Sequence, residues 1–480
     1  MDRSIRIFRW SIGAGPLLLL SAVSLVGAAA EDGPEPRPLA LSPAPEPVPA
    51  LRHRLFPTAA ERTPGDAAPV YLRTLAELPD EFERQVGEKY EAWIDLPIDE
   101  FPIDEARTIG GGSMPELLAI AARREYCDWS YPLAEQREHA IEILLPDAQA
   151  LRNRIRLLAL KAKLEIAEGD LDEAIRTIET GLAMSVHLAE GPFLINDLVG
   201  RASADSLVDR IEELVARPDA PNLYWALTAL PRPMIDFRDS LENEQAMAEW
   251  VVPEITGLDD LRTEDEWRVR LARLHERLRA LEPLLAENDI DVEDRRVPAE
   301  LDAFVAELTP QAERHFAPKD GAAPESEAER IVRFIVDRYR QVRDESYKLT
   351  YLPYADAARL YAVIAPETAE ESKNILVPAA VPWALGEVIL AVRGAHRSQA
   401  LLERRIAALR VVEAIRMHVA EHGSLPSSLD AISAVPVPGD PISGGPFSYR
   451  IEGDSAILEA PEELTDARPA GLPYRITIRK

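Results

Sequence analysis

From Val70 to about residue 445, apolar residues recur at spacings of three and four, and prolines fall at the starts and ends of the periodic segments. That is the pattern of amphipathic helices, about ten of them, and it leaves little room for a large sheet. The chain has 480 residues, too many for one hydrophobic core. With 46% hydrophobic and 29% charged residues, it can bury enough apolar surface to offset the entropy lost on folding. The expected fold class is mainly α, an irregular helical array followed by a small carboxyl-terminal α+β domain.

The carboxyl-terminal change of character is specific. A last long helix is expected to begin near Ala395 and close at Gly423, which suits the left-handed position past a helix end. Beyond it PFSYRI, SAILEA and YRITIR alternate polar and apolar residues, with Gly453 and Asp454 at a turn between the first two. They predict a small antiparallel sheet packed on the helix.

The amino-terminal end differs from both. Arg3, Arg6 and Arg9 precede a largely apolar stretch from Ser11 to Val26, and Ala28, Ala29 and Ala30 offer a small-residue cleavage site. A secretory signal peptide is expected over residues 1–30, with an uncleaved anchor as the alternative. No later segment reaches the roughly 18 uninterrupted apolar residues of a span, so no stable membrane span is expected after cleavage. The expected localisation is periplasm, cell envelope or extracellular medium. Ten prolines lie between Glu31 and Pro69, a composition that favours extended backbone and reads as a linker over residues 31–70. A helical domain is expected over 71–394 and the α+β domain over 395–480.

Charge and cysteine content exclude two classes. A net charge of −29 without a compact basic stripe disfavours nucleic acid as a partner. Cys127 is the one cysteine, so no intrachain disulfide is possible. Thr263 and Glu266 have capping-box spacing ahead of Trp267, Leu271, Leu274, Leu278, Leu281 and Leu285, a stripe that needs a partner helix.

Arg152 to Gly191 resembles one tetratricopeptide unit. Ala162, Gly169, Ala174 and Ile178 stand where that repeat places small, turn, small and bulky residues, with Asp170 and Glu173 positioned to cap the second helix. Lys161, Glu165 and Val186 depart from the repeat and no second copy follows, so the expectation is one helical hairpin within a larger bundle. Residues 400–460, a helix followed by HGSLPSSLDAI and GDPISGGPFSYRIEGD, are similar to the globular head of type II pseudopilins. In some of those heads the corresponding loop binds calcium, which the resemblance would transfer to Asp440 and Ser443; one carboxylate is poor provision for that ion. The phrases REYCDW, IAEGDLDEAI, HLAEGPFLINDLVG and APNLYWALTALPRP look like a large family of uncharacterised exported proteins of planctomycete bacteria. That resemblance implies export and a helical fold, and brings no catalytic residues.

Four motifs invite chemistry. His418–His422, HVAEH, has the form of inverted zinc peptidases, with Glu421 as the water-activating base. Yet no helix follows to supply a third ligand, and His418 continues the apolar line of Val411 and Ile415 while His422 suits a helix end. Gly110, Gly111 and Gly112 lead into Ser113, Pro115 and Glu116, which lack a phosphate-loop lysine and are accounted for as a helix start. Cys127 near Arg123 and Arg124, with His139 twelve residues on, has the composition of a nucleophile but reads better as a small buried hydrophobe. Tyr224, Trp225, Phe237, Trp250, Trp267 and Tyr339 are expected in cores ahead of a ligand groove. No catalytic, cofactor-binding or metal-binding residue is assigned, and no cofactor. The expected function is a noncatalytic extracytoplasmic interaction or scaffold protein whose partner is a protein. The alternative is an extracytoplasmic metal-dependent hydrolase using His418, Glu421 and His422.

Overall fold

The computed structural model describes residues 35–76, 80–109, 114–132, 135, 146–286, 297–317, 324–361, 380–461 and 472–479. It is mainly helical with a small carboxyl-terminal sheet. Strands β1 (Arg37–Leu41) and β2 (Thr63–Asp66) precede helices α1 (Ala68–Ala76), α2 (Asp80–Trp93), α3 (Ile103–Ile109) and α4 (Met114–Ala122), and then β3 (Arg124–Tyr126). Three long helices follow, α5 (Pro146–Glu168), α6 (Leu171–Ala189) and α7 (Leu194–Val215), with the short α8 (Tyr224–Thr228) behind them. Next come α9 (Arg238–Val251), α10 (Glu264–Ala286), α11 (Leu301–Phe316), α12 (Glu327–Tyr347) and α13 (Ala380–His422). Strands β4 (Ser448–Glu452), β5 (Ser455–Glu459) and β6 (Tyr474–Ile478) close the order. Among the described residues no helix is long and apolar enough to cross a membrane.

Helices α5, α6 and α7 each pack on the other two. Gly169 makes the α5–α6 turn at φ +87°, a conformation that favours glycine. Close approach of α6 and α7 depends on two more glycines. A Cβ at Gly200 would lie 2.7 Å from the Ser185 carbonyl oxygen, and one at Gly181 would lie 2.7 Å from a Leu207 methyl. The expected side-chain cap at Asp170 does not form; its backbone is outside the extended region such a cap uses, and Glu173 binds Arg176 instead.

Strands β4, β5 and β6 form the expected antiparallel ribbon, with Gly453 turning at φ +61°. The sheet order is β1-β6-β5-β4, and β1 runs parallel to β6, Arg37 opposite Tyr474 and Leu41 opposite Ile478. The proline-rich region therefore does not behave as a free linker where it is described. Leu39, Leu41, Ala44 and Leu55 are buried in the main core, and Pro38 is tolerated because β1 is an edge strand.

Buried apolar residues also group differently from the expected boundary at 394/395. One core draws on residues between 39 and 235 and again between 402 and 476; we call this part the body. A second core is contiguous in sequence, from Ile255 to Val336, and belongs to an inserted unit of α10, α11 and α12. Helix α13 begins at Ala380, not near Ala395, and runs through the expected boundary. It ends where expected, with Gly423 at φ +73° donating its N–H to the Val419 carbonyl at 2.8 Å.

The two cores are built by different means. In the inserted unit, Thr263 and Glu266 form the capping box in both directions, and Trp267, Leu271, Leu274 and Leu278 are buried as the stripe predicts. The side chains of Leu281 and Leu285 lie outside the described residues. In the body, Arg416 of α13 is fully buried and binds both oxygens of Glu413 at 2.9 and 3.0 Å. It also donates to the carbonyls of Ser42 (3.0 Å), Pro221 (3.2 Å) and Ala220 (2.7 Å). One guanidinium thus ties together the extended proline-rich segment that includes β1 and Ser42 (the amino-terminal strap), the segment before α8, and α13, its donors satisfied as burial requires.

Candidate functional site

The body and the inserted unit meet at a polar junction. A small apolar cluster of Leu194, Phe237, Leu241, Val392 and Ala395, flanked by Tyr347, forms its frame. Two helices then present polar or charged groups at the four-residue spacing that shares one face: Asp197 and Arg201 on α7, Ser240 and Glu244 on α9. His396 enters from α13. The Glu244 carboxylate accepts the Leu194 N–H at 2.8 Å, satisfying one of the free donors at the start of α7. Ser240 Oγ is within hydrogen-bond reach of Asp197 Oδ2 and of the Phe237 carbonyl, the latter at 2.9 Å.

Burial sets the electrostatics. It pushes the Asp197 carboxyl up to about 7 against the opposing pull of Arg201 and Ser240, and Glu244 up to about 7 against its bond from Leu194. Burial likewise pushes the His396 imidazole down to about 4, so it is neutral, with its Nδ1 3.3 Å from the Tyr361 hydroxyl. Phe237 and Tyr354 pack on the same ring, at 5.8 and 5.1 Å between centroids. Arg201 is only 2% exposed, and its Nε, Nη1 and Nη2 have no hydrogen-bond partner among the described residues. Its guanidinium carbon stands 5.7 Å from the Phe237 ring centroid, close enough for a cation–π contact. No sequence spacing connects positions 197, 240 and 396, and an Asp–Arg pair four apart reads as an ordinary solvated helix face.

The sequence-derived candidates fall elsewhere. His418 and His422 stack face to face, 4.2 Å apart at 15°, and His422 Nδ1 donates to the His418 carbonyl at 3.1 Å. Stacking points the ring edges along parallel directions, and one His422 nitrogen is already committed. Glu421 is exposed beside them, 3.9 Å from His422. Among the described residues no group of three His, Cys, Asp or Glu side chains is placed to hold a metal. Asp440 is buried and grips Arg404 through both oxygens, at 2.7 and 2.9 Å, while accepting the N–H groups of Ile442 and Ser443. Burial opposes its ionisation, but Arg404 outweighs that and holds the carboxyl below its usual range; its oxygens serve a guanidinium, not calcium.

Cys127 is buried, and burial, reinforced by Glu190, pushes its thiol far above the ordinary range. The flanking arginines point away, Arg123 to Glu179 at 3.4 Å and Arg124 to the Pro64 carbonyl at 2.8 Å. Gly110, Gly111, Gly112, Ser113 and His139 lie outside the described residues; Pro115 and Glu116 open α4. The aromatic residues do not converge on one groove. Tyr224 is in the body core with Trp225 against it, Trp267 is in the inserted core beneath Arg333 with Tyr339 packed on that core, and Phe237 is at the junction. Comparison of the chain with protein-family models, with curated proteins and with solved structures gave no match.

Proposed function

We propose that this chain is a noncatalytic interaction or scaffold protein that acts outside the cytoplasm and has a protein as its partner. One observation carries the reading. In the short segment after α12, Tyr351, Leu352 and Leu360 are 65%, 37% and 43% exposed. Three exposed apolar side chains within one short segment support a contact surface for another protein. The segment is anchored from beneath, since Leu349, Ala357 and Tyr361 form a small buried cluster of their own. The segment is therefore held in place by this cluster, which lowers the ordering cost of binding. Export is supported by the succession of basic, apolar and small residues within residues 1–30, which lie outside the described residues.

The test is capture from cell-envelope extracts with the wild-type chain and with a Tyr351→Ser, Leu360→Ser double variant of unchanged thermal stability. The expected result is a discrete protein held by the wild type and released by the variant. Retention of nothing specific, or of the same protein by both, would overturn the reading.

A further inference from the structure

We infer that the junction between the body and the inserted unit is a binding site for a small monocarboxylate, held by the Arg201 guanidinium. Arg201 presents a planar fork of N–H donors from a position almost entirely out of water, and no described residue accepts from it. Such a group calls for an acceptor, and a carboxylate matches the fork with two parallel hydrogen bonds. Asp197, one turn earlier on the same helix, makes neither a hydrogen bond nor a close ion pair with it, and its Oδ1 is also without a hydrogen-bond partner.

The charges around the site specify a single negative charge. Asp197 and Arg201 face it from α7, Ser240 and Glu244 from α9, Tyr347 from the end of α12, Tyr354 and Tyr361 from the following segment, and His396 from α13. Arg393, also on α13, acts on Tyr361. Asp236, just before α9, is neutralised by Arg238, whose Nε is 2.9 Å from both of its carboxylate oxygens. Arg201 is then the cation acted on by Asp197 and Asp236, while Arg397, next to His396, carries a buried Nη2 of its own. Beside these carboxyls a dianion is met less well than a monoanion.

Ser240 shows how Asp197 accommodates the ligand. Its hydroxyl has one proton and two acceptors in reach, Asp197 and the Phe237 carbonyl. Both contacts are made together when Asp197 carries a proton and donates to Ser240, which donates onward to Phe237. In that state Asp197 does not compete for Arg201, so binding a carboxylate is linked to proton uptake. With Asp197 titrating at about 7, affinity is near its maximum at pH 6 and about tenfold weaker at pH 8.

Calorimetric titration of the full chain with sodium acetate, at pH 6 and pH 8 and constant ionic strength, tests this, with inorganic phosphate at pH 8 as the dianion probe. Expected are saturable acetate binding, a Kd about tenfold higher at pH 8 than at pH 6, and weaker binding of phosphate than of acetate. Arg201→Met should abolish acetate binding, and Asp197→Asn should keep it with a smaller pH dependence than the wild type, the remainder coming from Glu244. No saturable binding by the wild type at pH 6, tighter phosphate binding, or undiminished acetate binding by a folded Arg201→Met variant would overturn the inference. Should Arg201→Met not fold, Asp197→Asn decides: a pH dependence equal to that of the wild type refutes the linkage and the site with it.

Discussion

The body and the inserted unit solve the same problem, burying helices together, with different chemistry. In the inserted unit the core is a stripe of Trp267, Leu271, Leu274 and Leu278 packed with Phe304, Leu308, Ile331 and Ile335, and its fully covered polar groups include His275 and Gln311 but no arginine or lysine among the described residues. The body buries Arg404, Arg405, Arg416 and Lys163, each paired with a carboxylate, in turn Asp440, Asp205, Glu413 and Glu213. Lys163 alone meets the carbonyls of Ile94 and Leu96 and the carboxylate of Glu213. The difference follows from chain distance. The inserted unit joins neighbouring helices, and shape is enough to align them. The body joins pieces as far apart as Ser42 and Arg416, separated by 374 residues, where apolar contact alone leaves the registry of an irregular strap undefined. Directional bonds to carbonyl oxygens define it.

The sharpest way to break this contrast is Arg416→Ala. It leaves Glu413 buried without its counter-charge and three carbonyls without donors, so the body should lose about 3–5 kcal/mol in urea unfolding. A loss comparable to an ordinary surface change would show that the strap is held by apolar packing alone. Leu274→Ala asks the same of the inserted unit: a loss of about 3 kcal/mol is expected from the cavity it leaves. Faster hydrogen exchange should be confined to residues 255–336, and its spread into α5–α7 would mean that the two cores unfold as one. The smallest effect is expected from Thr263→Ala, about 1 kcal/mol from loss of the helix cap. It should appear in the same unfolding step as Leu274→Ala, and its appearance with the body would erase the distinction.

What the sequence made legible follows the same division. The stripe behind Thr263 as far as Leu278, the hairpin turn at Gly453 and the helix end at Gly423 are local patterns, complete within a few turns of chain, and each stands where expected. The strap reads as a spacer in sequence because its prolines deny it ladder donors, and its actual neighbour, Tyr474, is 437 residues from Arg37. An edge position leaves one side of β1 unpaired, so the composition that argued against a strand is compatible with this one. The H-x-x-E-H spacing was visible, whereas the stacking of His418 on His422 depends on side-chain rotation that spacing does not carry. The junction was invisible because Asp197, Ser240 and His396 become neighbours only after two cores have closed around them.

The pairing of β1 with β6 also sets an order of events. A ribosome makes residues 37–41 long before residues 474–478, so during synthesis the outermost strand of the sheet waits without its companion while the helices between them assemble. Closing that seam cannot precede synthesis of the last strand, so the sheet is complete only once both ends of the chain exist.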